Sequence, residues 1–181
     1  MIKLILAFVF SFLFITNNTN PIYSSKEGSV KFVSNAPLEI IKAESNKLVS
    51  VIDAQKRTFA FTIPVKSFLG FNSPLQKEHF NENYMESDKF PIITFKGKII
   101  EEIDFSVSGT HNLRAKGIIS IHGIEKEKII NSKISIKNDQ IELQSQFDVL
   151  LVDHNIRIPK VVNQKIAEII SIEVNTHLLS K

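Results

Sequence analysis

The stretch Ile141-Glu142-Leu143-Gln144-Ser145-Gln146-Phe147-Asp148-Val149 decides the fold. Apolar or small residues at 141, 143, 145, 147 and 149 alternate with polar ones at 142, 144, 146 and 148. A period of two sends successive side chains to opposite faces, as in a strand with one face on a core and one in water. The tetrad Lys137-Asn138-Asp139-Gln140 lies just ahead and reads as a hairpin turn. Beyond it, Ile134 and Ile136 repeat the pattern.

Working outward, the same alternation recurs along most of the chain. Val30, Phe32, Ser34, Ala36 and Leu38 form one set, and Phe59, Phe61, Ile63 and Val65 another. Ile93, Phe95, Gly97 and Ile99 follow, then Phe105, Val107 and Gly109, then Ile119 and Ile121, and last Ile170, Ile172 and Val174. This pattern predicts an all-β protein, an antiparallel barrel or sandwich of about eight strands. Ile100–Asp104, Gly109–Asn112 and Gly123-Ile124-Glu125-Lys126 read as connections. Two segments break the period. Ser73-Pro74-Leu75-Gln76 has an N-cap Ser, Pro at the first helical position and Gln at the third, so a short helix is expected near 74–86. Phe80 and Tyr84 then share one face of it. Pro159–Ala167, with Val162 and Ile166 four apart, is expected to be a second short helical connection.

The N-terminus reads as an address. Lys3 precedes an apolar run, Leu4–Ile15, broken only by Ser11. That run is shorter than the roughly 20 residues needed to span a bilayer. It fits the apolar region of a secretory signal peptide, with polar Thr16–Asn20 and Pro21 after it. Residues 1–24 are therefore expected to be a signal peptide and 25–181 the exported domain, with no stable transmembrane span after cleavage. The competing reading is an uncut N-terminal anchor. Four of the 14 Phe, at 8, 10, 12 and 14, fall in this segment, and loss of Lys3 lowers the net charge of +3 by one.

Composition excludes much chemistry. With no Cys, disulfides, thiolate metal sites and cysteine nucleophiles are absent. The near balance of 22 Lys+Arg and 19 Asp+Glu, without a basic run, argues against nucleic acid as a partner. The five His show no metal-ligand spacing, and phosphate, dinucleotide and serine-hydrolase motifs do not occur. His79, Glu82 and Glu86 could imitate an acid–base cluster, but charge on an exposed helix face is the ordinary reading. Asp153-His154 could imitate a dyad, but strand neighbours point to opposite faces. No enzyme, metal or cofactor is expected. An eight-stranded barrel either fills its interior or encloses one ligand, and the Phe residues suit both roles.

At His79–Gly97 the chain resembles the YceI-like family, in His79-Phe80, Asp88, Phe90-Pro91 and Thr94-Phe95. Gly117-Ile118-Ile119-Ser120-Ile121-His122-Gly123, Phe147-Asp148-Val149 and Asp153–Pro159 resemble further blocks of it. Leu48–Asp53 departs from it, lacking the glycines of the family's early strands. The resemblance implies a lipocalin-like antiparallel barrel, periplasmic or secreted, that holds an isoprenoid or another long amphiphile. Phe59, Phe61, Phe68, Phe71, Phe95, Ile119, Ile121, Phe147 and Val149 would then line an apolar channel, and His79 and Tyr84 would stand at its mouth. The alternative is an exported structural or interaction β-domain with a filled core and no ligand.

Overall fold

The computed structural model describes residues 21–181, so residues 1–20 of the expected signal peptide, 1–24, lie outside the described residues. Eight antiparallel strands close into one barrel in chain order. They are β1 (Ile22–Asn35), β2 (Ile40–Asp53), β3 (Thr58–Pro64), β4 (Ile92–Ile99), β5 (Gly109–Ile121), β6 (Ile124–Lys137), β7 (Gln140–Leu150) and β8 (Ile169–Ser180). Pairing of β1 with β8 completes the ring, from Tyr23↔Ser180 to Ser34↔Ile170. β1 begins ahead of residue 25, and Tyr23 is fully buried.

The alternation resolves as inside and outside. In β7, Ile141, Leu143, Ser145 and Val149 are buried and Phe147 half-buried, while their neighbours face water. One inner row runs Phe61↔Phe95↔Ile119 across β3, β4 and β5. Beside it, Gly97 faces Gly117, and a Cβ on either would overlap the partner strand's backbone. These glycines let β4 and β5 approach closely while the sheet curls.

Both short hairpins use two residues at positive φ, which matches the twist of the flanking strands. Asn138 and Asp139 have φ of 50° and 58°, and His122 and Gly123 of 51° and 71°. The turn expected at 123–126 is therefore His122-Gly123, and Ile124 already belongs to β6. The expected connection at 109–112 is instead the start of β5. Phe105 and Val107, read as strand, lie in the β4–β5 loop. Asp104 Oδ1 accepts bonds from Ser106 N at 2.9 Å and Ser106 Oγ at 2.6 Å, turning the chain there.

Connections after odd-numbered strands gather at one end, the mouth, and those after even-numbered strands at the closed end. The mouth carries α1 (Pro74–His79), continued by a π-helical turn, Phe80–Tyr84. It also carries the β7–β8 connection, in which Lys160–Val162 is a 3₁₀ turn. Ile166 N donates to Val162 O at 3.1 Å, so the pair expected to share a helical face does meet. Leu38 N, donating to Gln164 O at 2.8 Å, fastens this connection to the β1–β2 loop.

Candidate functional site: an apolar cavity under an aromatic roof

The barrel encloses a cavity of about 560 Å³ that opens toward the mouth. Its walls are the inward residues of the strands. Phe59, Phe61, Phe95, Ile119, Ile121, Phe147 and Val149 all line it, and Phe68 and Phe71 line it near the mouth. His79 and Tyr84 line its rim. Burial raises the Tyr84 phenol above its ordinary pKa, so it stands as a neutral hydroxyl.

The lining also includes residues that the sequence reading left unassigned: Phe32, Ile41 and Leu48 in β1 and β2, Ile134 and Leu143 in β6 and β7, and Phe80. Alternation in β1 marks Phe32 as inward, and the spacing of Phe80 and Tyr84 marks the helical face. Glu39, Gln76 and Lys165 at the rim carried no such signal, because three different loops bring them together.

The roof is built from α1 and the Phe68–Phe71 segment. Ser73 Oγ accepts Gln76 N at 3.1 Å, as the N-cap spacing predicts. Gln76 Oε1 accepts Asn72 N at 3.0 Å, one residue further back than a capping box requires. Glu39 Oε1 accepts Gln76 Nε2 at 3.0 Å and Asn72 Nδ2 at 3.2 Å, tying α1 to the β1–β2 loop. Below, the Phe80 ring stacks on Phe32 at 5.4 Å and meets Phe71 at 5.0 Å, and Phe32 meets Phe68 at 5.5 Å. The helix ends as a π turn, with Met85 N donating to Phe80 O at 2.9 Å.

The cavity does not run through the barrel. At the closed end Tyr23, Ile141 and Leu178 are fully buried, Ile136 nearly so, and Phe105 folds in from the β4–β5 loop. The Tyr23 hydroxyl donates to Phe105 O at 3.3 Å, with the rings 5.9 Å apart. These side chains meet across the axis and form a floor. A filled core and a hollow one therefore share this barrel, one at each end.

The acid–base clusters imagined from sequence are not assembled. Glu86, at φ 42°, turns from His79, and its Oε2 lies 2.6 Å from His122 Nε2. His122 Nδ1 donates to His154 O at 3.1 Å, and the imidazole sits edge-on to Phe90 at 4.7 Å. Asp153 and His154 lie in a 3₁₀ turn, Leu151–His154, and not in a strand. His154 Nδ1 donates to Ile124 O at 3.2 Å. Burial pushes its pKa down, against smaller opposing effects from the Ile124 carbonyl and Asp153. This polar knot pins three mouth loops together outside the cavity.

Fold and site define a lipocalin-like barrel with a blind apolar cavity. The chain belongs to the YceI-like family, whose domain it matches over residues 23–178. Its structure resembles that of a polyisoprenoid-binding domain from Saccharophagus degradans implicated in plant cell wall breakdown, with a TM-score of 0.75. Identity there is 11%, covering 89% of this chain and 99% of that one. Burkholderia cenocepacia BcnA is similar at a TM-score of 0.68 and 14% identity, covering 83% of this chain and 95% of that one. The Campylobacter jejuni YceI protein matches at 0.57 and 15%, covering 100% of this chain and 99% of that one. No curated protein sequence matches. Among the described residues, no helix is long and apolar enough to cross a membrane.

Proposed function

We propose that the protein is an exported, non-catalytic lipid-binding protein that holds the chain of an isoprenoid or similar amphiphile in its barrel. The cavity carries this reading. Its volume of about 560 Å³ lies within the range of roughly 300–1,000 Å³ of known ligand sites, and its walls are apolar. Each methylene taken from water into such walls contributes about 0.8 kcal/mol. Ordering the chain offsets part of this. The polyisoprenoid-binding domain of similar fold supports the choice of ligand class. The apolar run after Lys3 supports export. A polar head would lie at the rim, within reach of His79, Gln76 and Lys165.

Native mass spectrometry of the purified protein, followed by solvent extraction, tests the reading. A lipid adduct that disappears on extraction and returns on incubation with a polyprenol is the expected result. A protein that neither carries nor takes up lipid would overturn it.

A further inference from the structure

Among the described residues, the mouthward half of the barrel wall has two seams where neighbouring strands lose their ladder. The β2–β3 ladder stops at Val49↔Thr62, leaving the mouthward half of β2 without β3. Other segments fill that seam: Glu44 and Leu69 exchange two main-chain bonds of 2.8 Å, and Ser45 Oγ lies 2.6 Å from Ser67 Oγ. The second seam lies between β6 and β7. Their ladder runs from Lys137↔Gln140 only to Ser132↔Ser145. Beyond it β6 stays bonded to β5 as far as Ile124, and β7 to β8 as far as Leu150. Both rims are thus held from behind while no ladder bonds join them.

Among the described residues, no main-chain bridge fills this second seam. Its base is the Ser132–Ser145 hydroxyl pair at 2.6 Å, and its top is the His154–Ile124 bond. One side chain crosses between them. Lys128 Nζ donates to Asp148 O at 2.7 Å, and it lies 5.7 Å from the centre of the Phe147 ring. Lys128 pairs with Gly117, in the row of Gly97 and Phe59, so alternation assigns it to the interior. A lysine there belongs to a wall that parts at that point, letting the ammonium reach the rim. Ile130 and Phe147 line the cavity just inside, and Ile129, Leu150 and Val152 are exposed beside the gap.

We propose that this seam is a side entrance to the cavity, with Lys128 as its latch. The inference rests on the lipid-binding reading above and adds the route by which the chain enters. The mouth is tied by the Glu39 bonds and four interlocked Phe rings, whereas the seam is crossed by one flexible side chain. An apolar chain can slide between Ile130 and Phe147 when the Lys128 bond opens. Such a gate acts on the rate of uptake and leaves the final occupancy unchanged.

The native chain has no Cys, so a cysteine pair across the seam can be introduced alone. Ile129→Cys/Asp148→Cys continues the Ser132↔Ser145 register on the outer face, away from the cavity lining. Uptake is followed with retinol, an isoprenoid alcohol whose fluorescence rises in apolar surroundings. Closing the pair by oxidation, or by a short bismaleimide where oxidation does not join it, is expected to slow uptake at least about tenfold. Reduction of the disulfide restores the rate. Lys128→Met, which keeps the stem but loses the donor, is expected to take up retinol severalfold faster to the same final occupancy. Wild-type uptake that neither the closed pair nor Lys128→Met alters would overturn the side entrance alone. No uptake by the wild-type protein would overturn the lipid reading and the entrance with it.

Discussion

Glu86 and His122 stand 36 residues apart and meet at 2.6 Å, joining the loop after α1 to the β5–β6 hairpin. Both occupy positive φ, at 42° and 51°. Their contact and the His122–His154 bond tie three of the loops around the mouth. Because His122 is buried, truncating Glu86 leaves a ring nitrogen without its hydrogen-bond partner. Glu86→Ala is expected to cost about 1–3 kcal/mol, toward the low end because the carboxylate is partly exposed. Urea unfolding measures this, and a midpoint equal to wild type would show that the pair contributes nothing.

Phe95 separates a hollow barrel from a filled one. Its ring lines the cavity and lies 4.8 Å from Phe59. Phe95→Trp is expected to reduce lipid capacity with little change in Tm, since the extra ring atoms project into open space. In a filled core the same change would overpack and cost about 1–3 kcal/mol. Lipid titration and a thermal melt of the same sample distinguish the two.

The floor sets the depth of the cavity. Phe105→Ala removes a buried ring above the closed end and is expected to cost roughly 3–5 kcal/mol. The shortened side chain also lets longer isoprenoid alcohols seat fully. Tyr23→Phe loses only the 3.3 Å bond to Phe105 O, so it should cost about 0.5–1.5 kcal/mol and leave the chain-length preference unchanged. Competition among polyprenols of graded length reads both variants. An unaltered preference in Phe105→Ala would remove the floor as its determinant.

His154 gives stability a defined pH dependence. Its folded pKa is depressed, first by burial. The unfolded chain therefore binds the proton more readily below the ordinary value of 6.5. Stability is complete above that pH and falls as pH drops from 6.5 toward the folded pKa. Asp153, which favours the charged ring, and Lys126, which opposes it, are the charged neighbours. Tm measured from pH 8 to pH 5 should decline in the wild type and flatten in His154→Gln. An equal decline in both would refute the assignment.

The strands were legible because burial on one face imposes a period of two, and Ile141–Val149 shows it without interruption. The start of α1 was legible because Ser73, Pro74 and Gln76 act within one turn of chain. Phe105 misled because an inward aromatic in a loop leaves the same local trace as one in a strand, and only closure of the barrel gives it a place. Glu86–His122 and the Glu39–Gln76 contact were not legible. Each joins residues far apart in sequence, and neither side chain's local pattern encodes the partner. The cavity itself follows from how much volume the inward side chains leave around a closed axis, a sum over eight strands that no single strand carries.

The start of β1 and the residue after β8 lie side by side, with Lys181 N donating to Ile22 O at 2.9 Å at the closed end. Among the described residues no turn joins β1 to β8, which the β-ladder holds together. The ladder stops partway between β6 and β7, which a two-residue turn holds covalently. A circular permutant that joins Lys181 to Ile22 through a short linker and opens at Asn138-Asp139 would bring both kinds of break to one seam. It should fold from the other seven ladders, yet let β6 and β7 part along their whole length.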